Sequence, residues 1–127
     1  MFRAFRSECG EQMVRDGNAF VKQILPGAVI RKLTDHEMNT YRAKFRAPYD
    51  RLPTLVWPRQ IPIEGGPADA TAVVENYGRA MAQSPIPNLL VIGQPGAVIK
   101  GRLLDFCRTW PNQSEVYIKG IHFLQED

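Results

Sequence analysis

The sequence predicts a protein of the α/β class, and three observations carry that reading. The run Leu89-Leu-Val-Ile92 is continuously apolar, as in a strand buried on both faces of a parallel sheet. A helical stretch from Gly101 to Thr109 follows and is stopped by Pro111. Glu115-Val-Tyr-Ile118 then forms a second strand, so the segment reads as one right-handed βαβ crossover. The segments before it are helical or rich in proline.

From Phe2 to Leu25, Phe2, Phe5, Met13, Phe20, Val21, Ile24 and Leu25 recur at helical spacing, with Gly10 and Gly17 as breaks. Asn18 is the expected N-cap of a short helix ending before Pro26-Gly27. Thr34-Asp-His-Glu37 is a capping box, in which the threonine hydroxyl and the glutamate carboxylate satisfy orphan amides, and it starts a helix over residues 35–45. Pro48, Pro53, Pro58, Pro62 and Pro67 remove donors throughout the next stretch, which reads as an ordered, irregular connector. Pro67 opens a further helix, to about Gln83, with Ala68, Ala72, Val73, Tyr77 and Ala80 spaced for one buried face.

Composition narrows the function classes. The 127 residues suffice for one domain, and 44% hydrophobic with 23% charged residues argues against disorder, collagen or a coiled coil. The net charge of +3 comes from 16 basic and 13 acidic side chains of interspersed sign, which reads as a solvated surface and not a nucleic-acid face. Cys9 and Cys107 match no metal or redox spacing and read as reduced thiols, and no apolar run suggests secretion or a membrane span. A cytoplasmic protein without cofactor or metal is expected. A two-stranded parallel sheet leaves apolar faces and edges open, so the pattern implies further strands and a chain cut at both ends.

His122 follows the last strand. Such a loop histidine is inert if merely hydrogen-bonded, but ligands of open α/β sheets bind beyond the carboxyl ends of strands, where an imidazole with a pKa near ~6.5 is a natural base for activating water. His36 lies in a polar first helical turn and reads as surface. No G-x-S-x-G elbow is present, and none of Asp16, Asp35, Asp50, Asp69 or Asp105 follows a strand and precedes a helix. Gly93-Gln-Pro-Gly96 follows the first strand without a carboxylate. Glu126 and Asp127 are near enough in sequence to reach His122, although they equally suit a helix start. Trp57-Pro58, with Phe20, Ile24 and Ile61, could be plain core or the lining of an apolar pocket.

Over its whole length the chain resembles the haloalkane dehalogenases of the α/β-hydrolase superfamily. The resemblance runs through Phe2-Arg-Ala-Phe-Arg-Ser7, Asn18-Ala-Phe-Val21, Leu25-Pro-Gly27, Pro53-Thr-Leu-Val-Trp-Pro-Arg-Gln-Ile-Pro62, Pro67-Ala-Asp69, Asp105-Phe-Cys-Arg-Thr-Trp-Pro-Asn-Gln113 and His122-Phe-Leu-Gln-Glu-Asp127. It implies a partial α/β-hydrolase fold, with a helical cap over residues 1–62 and the last part of the main domain over 63–127, lacking the final helix. It also implies that His122 is the base hydrolysing an alkyl-enzyme ester, with Phe2, Phe20, Ile24, Ala28, Trp57, Pro58, Ile61, Ala97, Val98 and Phe123 lining the pocket or its tunnel. The nucleophilic aspartate, the acid and the halide-holding asparagine and tryptophan would precede Met1. Gly96 suits the subgroup whose acid is a glutamate upstream of the cap.

The implied partners are a haloalkane, water and the halide product, and the chain alone is expected to be inactive. An epoxide hydrolase, for which Tyr41 and Tyr49 could protonate the epoxide oxygen, or a coelenterazine-type luciferase would share the scaffold. A non-catalytic fragment pairing its exposed strand edge with itself or with another chain is the alternative from a different class.

Overall fold

The computed structural model describes residues 2–127, apart from the side chain of Phe2. The lining role expected of Phe2 therefore lies outside the described residues. Two compact units divide the chain: Met1–Gly27 with Lys32–Thr71, and Ala28–Arg31 with Ala72–Asp127.

The first unit is helical. α1 (Phe2–Arg6) is followed by α2 (Cys9–Glu11), which runs on as a π-helical turn over Gln12–Asp16. A second π-helical turn, Phe20–Ile24, continues into α3 (Leu25–Gly27). Two sequence expectations need correction here. The first break falls at Ser7 and Glu8 and not at Gly10, which is buried inside α2 because a Cβ there would stand 2.4 Å from the Phe5 carbonyl oxygen. Asn18 does not cap with its side chain. Its φ of 54° lies in the left-handed region that asparagine tolerates, its Nδ2 donates to the Phe45 carbonyl, and the following helix continues through Pro26 and Gly27.

α4 (Asp35–Ala43) begins with the expected capping box: the Glu37 amide donates to Thr34 Oγ1 at 3.3 Å and the Thr34 amide to Glu37 Oε2 at 2.7 Å. The proline-rich stretch is more regular than expected. A 3₁₀ turn at Tyr49–Arg51 leads into α5 (Leu52–Arg59): Pro53 sits in the first turn, where no amide donor is needed, while Pro58 sits inside the helix one residue before its end and costs it one backbone bond. Phe5, Val14 and Leu55 form the unit's core, with Met13, Phe20 and Ile24 packed around it.

Arg51 holds this unit from within. Although charged, it is only 9% exposed, and it donates to the carbonyl oxygens of Phe45 (2.9 Å), Arg15 (2.5 Å), Asp16 (3.2 Å) and Arg46. One planar guanidinium thereby ties the end of the first π-helical turn to the loop after α4.

The second unit takes in most of α6 (Ala68–Ala82), then β1 (Asn88–Pro95), α7 (Arg102–Cys107) and β2 (Gln113–Gly120). The strands pair in parallel, Leu90 opposite Glu115 and Ile92 opposite Tyr117, as the βαβ reading requires. Side chains alternate across a sheet, so Leu90, Ile92, Glu115 and Tyr117 share one face. α7 covers that face: Leu90 and Ile92 pack with Cys107, Leu104 and Trp110, while Arg108 grips the Glu115 carboxylate at 2.8 and 3.0 Å.

The expectation of strands buried on both faces is only half met, since Leu89 on the other face is 61% exposed and Val116 37%. The expected buried face of α6 is likewise corrected. None of its residues is buried, and Val73 and Tyr77 are largely exposed, with Tyr77 meeting only the edge of Trp110 at 6.0 Å between ring centroids. Both cysteines are free, Cys9 exposed and Cys107 buried. Among the described residues, no helix is long and apolar enough to cross a membrane.

Candidate active site

The carboxyl ends of the two strands set the geometry around His122. Gly96 has φ +64° and a Cβ there would lie 2.6 Å from the Gly93 carbonyl oxygen, so no aspartate fits the turn after β1 in this conformation. The Gly96 amide donates to the Gly120 carbonyl at 3.1 Å, locking that turn to the end of β2. Leu124 lies across both strand ends, and this requires glycine beneath it: a Cβ on Gly120 would stand 2.5 Å from Leu124 Cδ2, and one on Gly93 3.0 Å.

His122 emerges just beyond this crossing, before a 3₁₀ turn at Leu124–Glu126. Its amide donates to the Ala28 carbonyl at 3.0 Å, and the Phe123 amide shares the same oxygen at 3.2 Å. The imidazole is exposed and rests tilted against the Phe123 ring, with centroids 4.8 Å apart. The backbone is thus held while the ring stands toward solvent, a placement from which an imidazole could take a proton.

The two acidic residues close in sequence are committed elsewhere. Glu126 pairs with Arg31 at 3.6 Å, and the Arg31 Nε donates to the Glu126 carbonyl. Asp127 Oδ1 accepts from the amides of Ile30 (2.6 Å) and Arg31 (3.1 Å), and Oδ2 accepts from Ile121 (3.4 Å). Partial desolvation pushes the Asp127 carboxyl up, but these amides and the Arg31 charge outweigh it and hold the group below the usual aspartate range.

The other expected pocket residues fall in two groups. Ala28 is buried in the second unit, where Phe123 is half-buried and Ala97 and Val98 are exposed beyond β1. In the first unit Phe20 and Ile24 flank the core, with the Phe20 and Phe5 rings edge to face at 6.4 Å, and Pro58 is fully buried. Trp57 stands 69% exposed and Ile61 half-buried. His36 is exposed in the first turn of α4.

An open depression of about 570 Å³ lies elsewhere in the first unit, walled by Arg6, Ser7, Glu8, Glu11, Arg59, Gly66 and Pro67. It contains none of the expected pocket residues. Its guanidinium at Arg6 is already engaged by the carbonyls of Arg59, Ile61, Ile63 and Gly66. Among the described residues no cluster of His, Cys, Asp and Glu could hold a metal. Sequence reasoning brought Asp127 near His122 but missed what its carboxylate holds, and it missed the Ala28 carbonyl, since Ala28, Ile30 and Arg31 lie more than ninety positions from the loop they meet and no local spacing marks the pairing.

Together, the parallel βαβ unit and the histidine loop at its carboxyl end form part of an α/β-hydrolase fold. No model of a known protein family matches the chain. Along its whole length, however, the chain is homologous to haloalkane dehalogenases. It is 52% identical over 128 residues to a haloalkane dehalogenase of Sphingobium indicum and 49% identical over 129 residues to one of Mycolicibacterium smegmatis. All of the chain is matched in both cases, but it spans only 43% of the first relative and 42% of the second. The crystal structure of a haloalkane dehalogenase from Bradyrhizobium elkani, 42% identical, superposes with a TM-score of 0.92 over 99% of this chain and 44% of its own.

Proposed function

We propose that this chain contributes the base and much of the pocket wall of a haloalkane dehalogenase. Residues 1–62 form most of its cap, and residues 63–127 the last part of its main domain. The full-length match to enzymes of that name carries the reading and favours it over an epoxide hydrolase or a luciferase. The exposed His122 imidazole at the strand ends supports it.

In the proposed reaction a carboxylate oxygen attacks the sp³ carbon, the carbon–halogen bond breaks, and halide leaves an alkyl ester behind. His122 then takes a proton from water as its oxygen attacks the ester carbonyl. Collapse releases the alcohol and restores the carboxylate. By the family resemblance, Phe2, Phe20, Ile24, Trp57, Pro58 and Ile61 of the first unit, and Ala28, Ala97, Val98 and Phe123 of the second, are each assigned to line the haloalkane site of the complete enzyme, and apolar side chains suit a substrate with little hydrogen-bonding capacity. No elbow aspartate stands among these 127 residues, so the chain alone does not turn over. We infer a cytoplasmic setting, in keeping with the unpaired cysteines, and association through the exposed strand edges.

Halide release from 1-bromobutane tests the proposal. The chain alone is expected to release none. Co-expressed with the segments of the Sphingobium relative that it does not match, those before and after the matched region, it should restore turnover. In that assembly His122→Gln should release one equivalent of halide per site and retain the butyl ester. Turnover by the isolated chain, or an unimpaired His122→Gln assembly, would overturn it.

A further inference from the structure

We propose that Asp127 is a positioning residue for His122, acting through a clasp between the loop at residues 121–127 and the segment Ala28–Arg31; this rests on the reading of His122 as the base. The clasp has two halves, both inside the second unit. In one, the Ala28 carbonyl accepts from His122 and Phe123. In the other, the Asp127 carboxylate gathers the amides of Ile30, Arg31 and Ile121.

Geometry makes the second half govern the first. The segment supplying the acceptor for His122 is the same segment whose next amides Asp127 holds, only two and three residues on from Ala28. Ile121, the third donor, is the residue immediately before His122. One carboxylate thus fixes the acceptor segment and the approach to the base together. A neutral or truncated side chain cannot hold all three amides with the same strength, because charge-assisted hydrogen bonds are roughly twice as strong as neutral ones. The Arg31 guanidinium on the Glu126 carbonyl reinforces the same two strands of chain. Gly120 leaves room for the arrangement, as a Cβ there would stand 3.3 Å from Asp127 Oδ2. The hydrogen bonds of the Asp127 carboxylate all go to backbone amides and none to the imidazole, so its influence is on where the base stands.

Two measurements test this on Asp127→Asn and Asp127→Ala. The first, amide hydrogen exchange on the 127-residue chain, needs no activity. Exchange should accelerate at least about tenfold at Ile30, Arg31, Ile121, His122 and Phe123, more in the alanine variant than in the asparagine one, while Val91, Ile92 and Ile118 keep their protection. Unchanged exchange at His122 and Phe123 would overturn the proposal, as would an equal loss of protection throughout both strands.

The second uses the co-expressed assembly described above. The first equivalent of halide should appear at an unchanged rate, while hydrolysis of the ester falls about tenfold to a hundredfold, the scale expected of a catalytic group displaced by an ångström. Equal slowing of both steps would overturn the positioning role. Failure of the assembly to release halide with Asp127 intact would instead refute the dehalogenase reading, and the exchange result would then decide the clasp alone.

Discussion

Replacing Arg51 with methionine should destabilise the helical unit by about 2–4 kcal/mol. The substitution keeps an apolar stem of similar length and removes the guanidinium from four carbonyl oxygens. A buried acceptor left unpaired costs about 1–3 kcal/mol. That range would give an upper sum near ~12, but Asp16 and Arg46 are exposed residues where water can take over as donor, and Arg15 and Phe45 are only half-buried, which puts each of their two terms in the lower part of the range at about 1–2 kcal/mol. Lysine should recover only part of the loss, since a single ammonium has three donors and no planar fork with which to span four acceptors. In urea, with a slope of about 1–3 kcal/mol per molar, the methionine variant's midpoint should fall by roughly 1–2 M, read from far-ultraviolet circular dichroism. A midpoint within about 0.3 M of the parent protein, less than a 0.5–1 kcal/mol change, would refute the assignment of Arg51 as the tie between these segments.

Gly10→Ala should destabilise the first unit by at least about 1–3 kcal/mol, because its Cβ meets the backbone oxygens of Phe5 and Ala4 and not a side chain that could swing away; thermal unfolding would show this, and an unchanged midpoint would contradict the packing. Acidification should release the Asp127 clasp late. A carboxyl whose folded-state value is lowered contributes fully above the ordinary aspartate value of about 3.9 and fades only as pH falls through the lower folded value. The amide shifts of Ile30 and Arg31 should therefore titrate below about pH 3.9, and an inflection above it would show that the carboxylate is not held by these donors.

What could be read in the sequence was what depends on neighbours a few positions apart. Thr34 and Glu37 bond each other across three residues, and the capping box they announce is present. The alternation of strand, helix and strand from Asn88 to Gly120 has its periods and stop signals written locally, and the parallel pair formed as they indicated. Proline misled where its position mattered more than its count: Pro53 falls in the first turn of α5, where no donor is needed, and Pro58 falls one residue before its end, where the lost bond is a single one and few turns remain to be disturbed. Arg51 and Asp127 could not be found this way. Each acts on backbone groups brought to it by the fold, at separations of up to 36 residues for Arg51 and 97 for Asp127; nothing around Arg51 distinguishes it from a solvated charge, and the nearness of Asp127 to His122 in sequence pointed to the imidazole and not to the amides it holds.

The apolar run of β1 carries a different kind of information. Leu89, Leu90, Val91 and Ile92 predict cover on both faces, yet within this chain only the face of Leu90 and Ile92 is packed, while Leu89, Val116 and Val73 stand exposed. Hydrophobic patterning records a requirement for burial without saying who meets it, and the matched relatives are more than twice as long as this chain. His122 is placed differently. Its loop is fixed by Ala28 and Asp127 and by Leu124, which lies over Gly93 and Gly120 at the carboxyl end of the face that carries Leu89 and Val116. The loop therefore closes the carboxyl end of that face through contacts this chain already makes, while Leu89 and Val116 farther along it stay open; on the reading proposed above, His122 is held here and the attacking carboxylate must be brought to it.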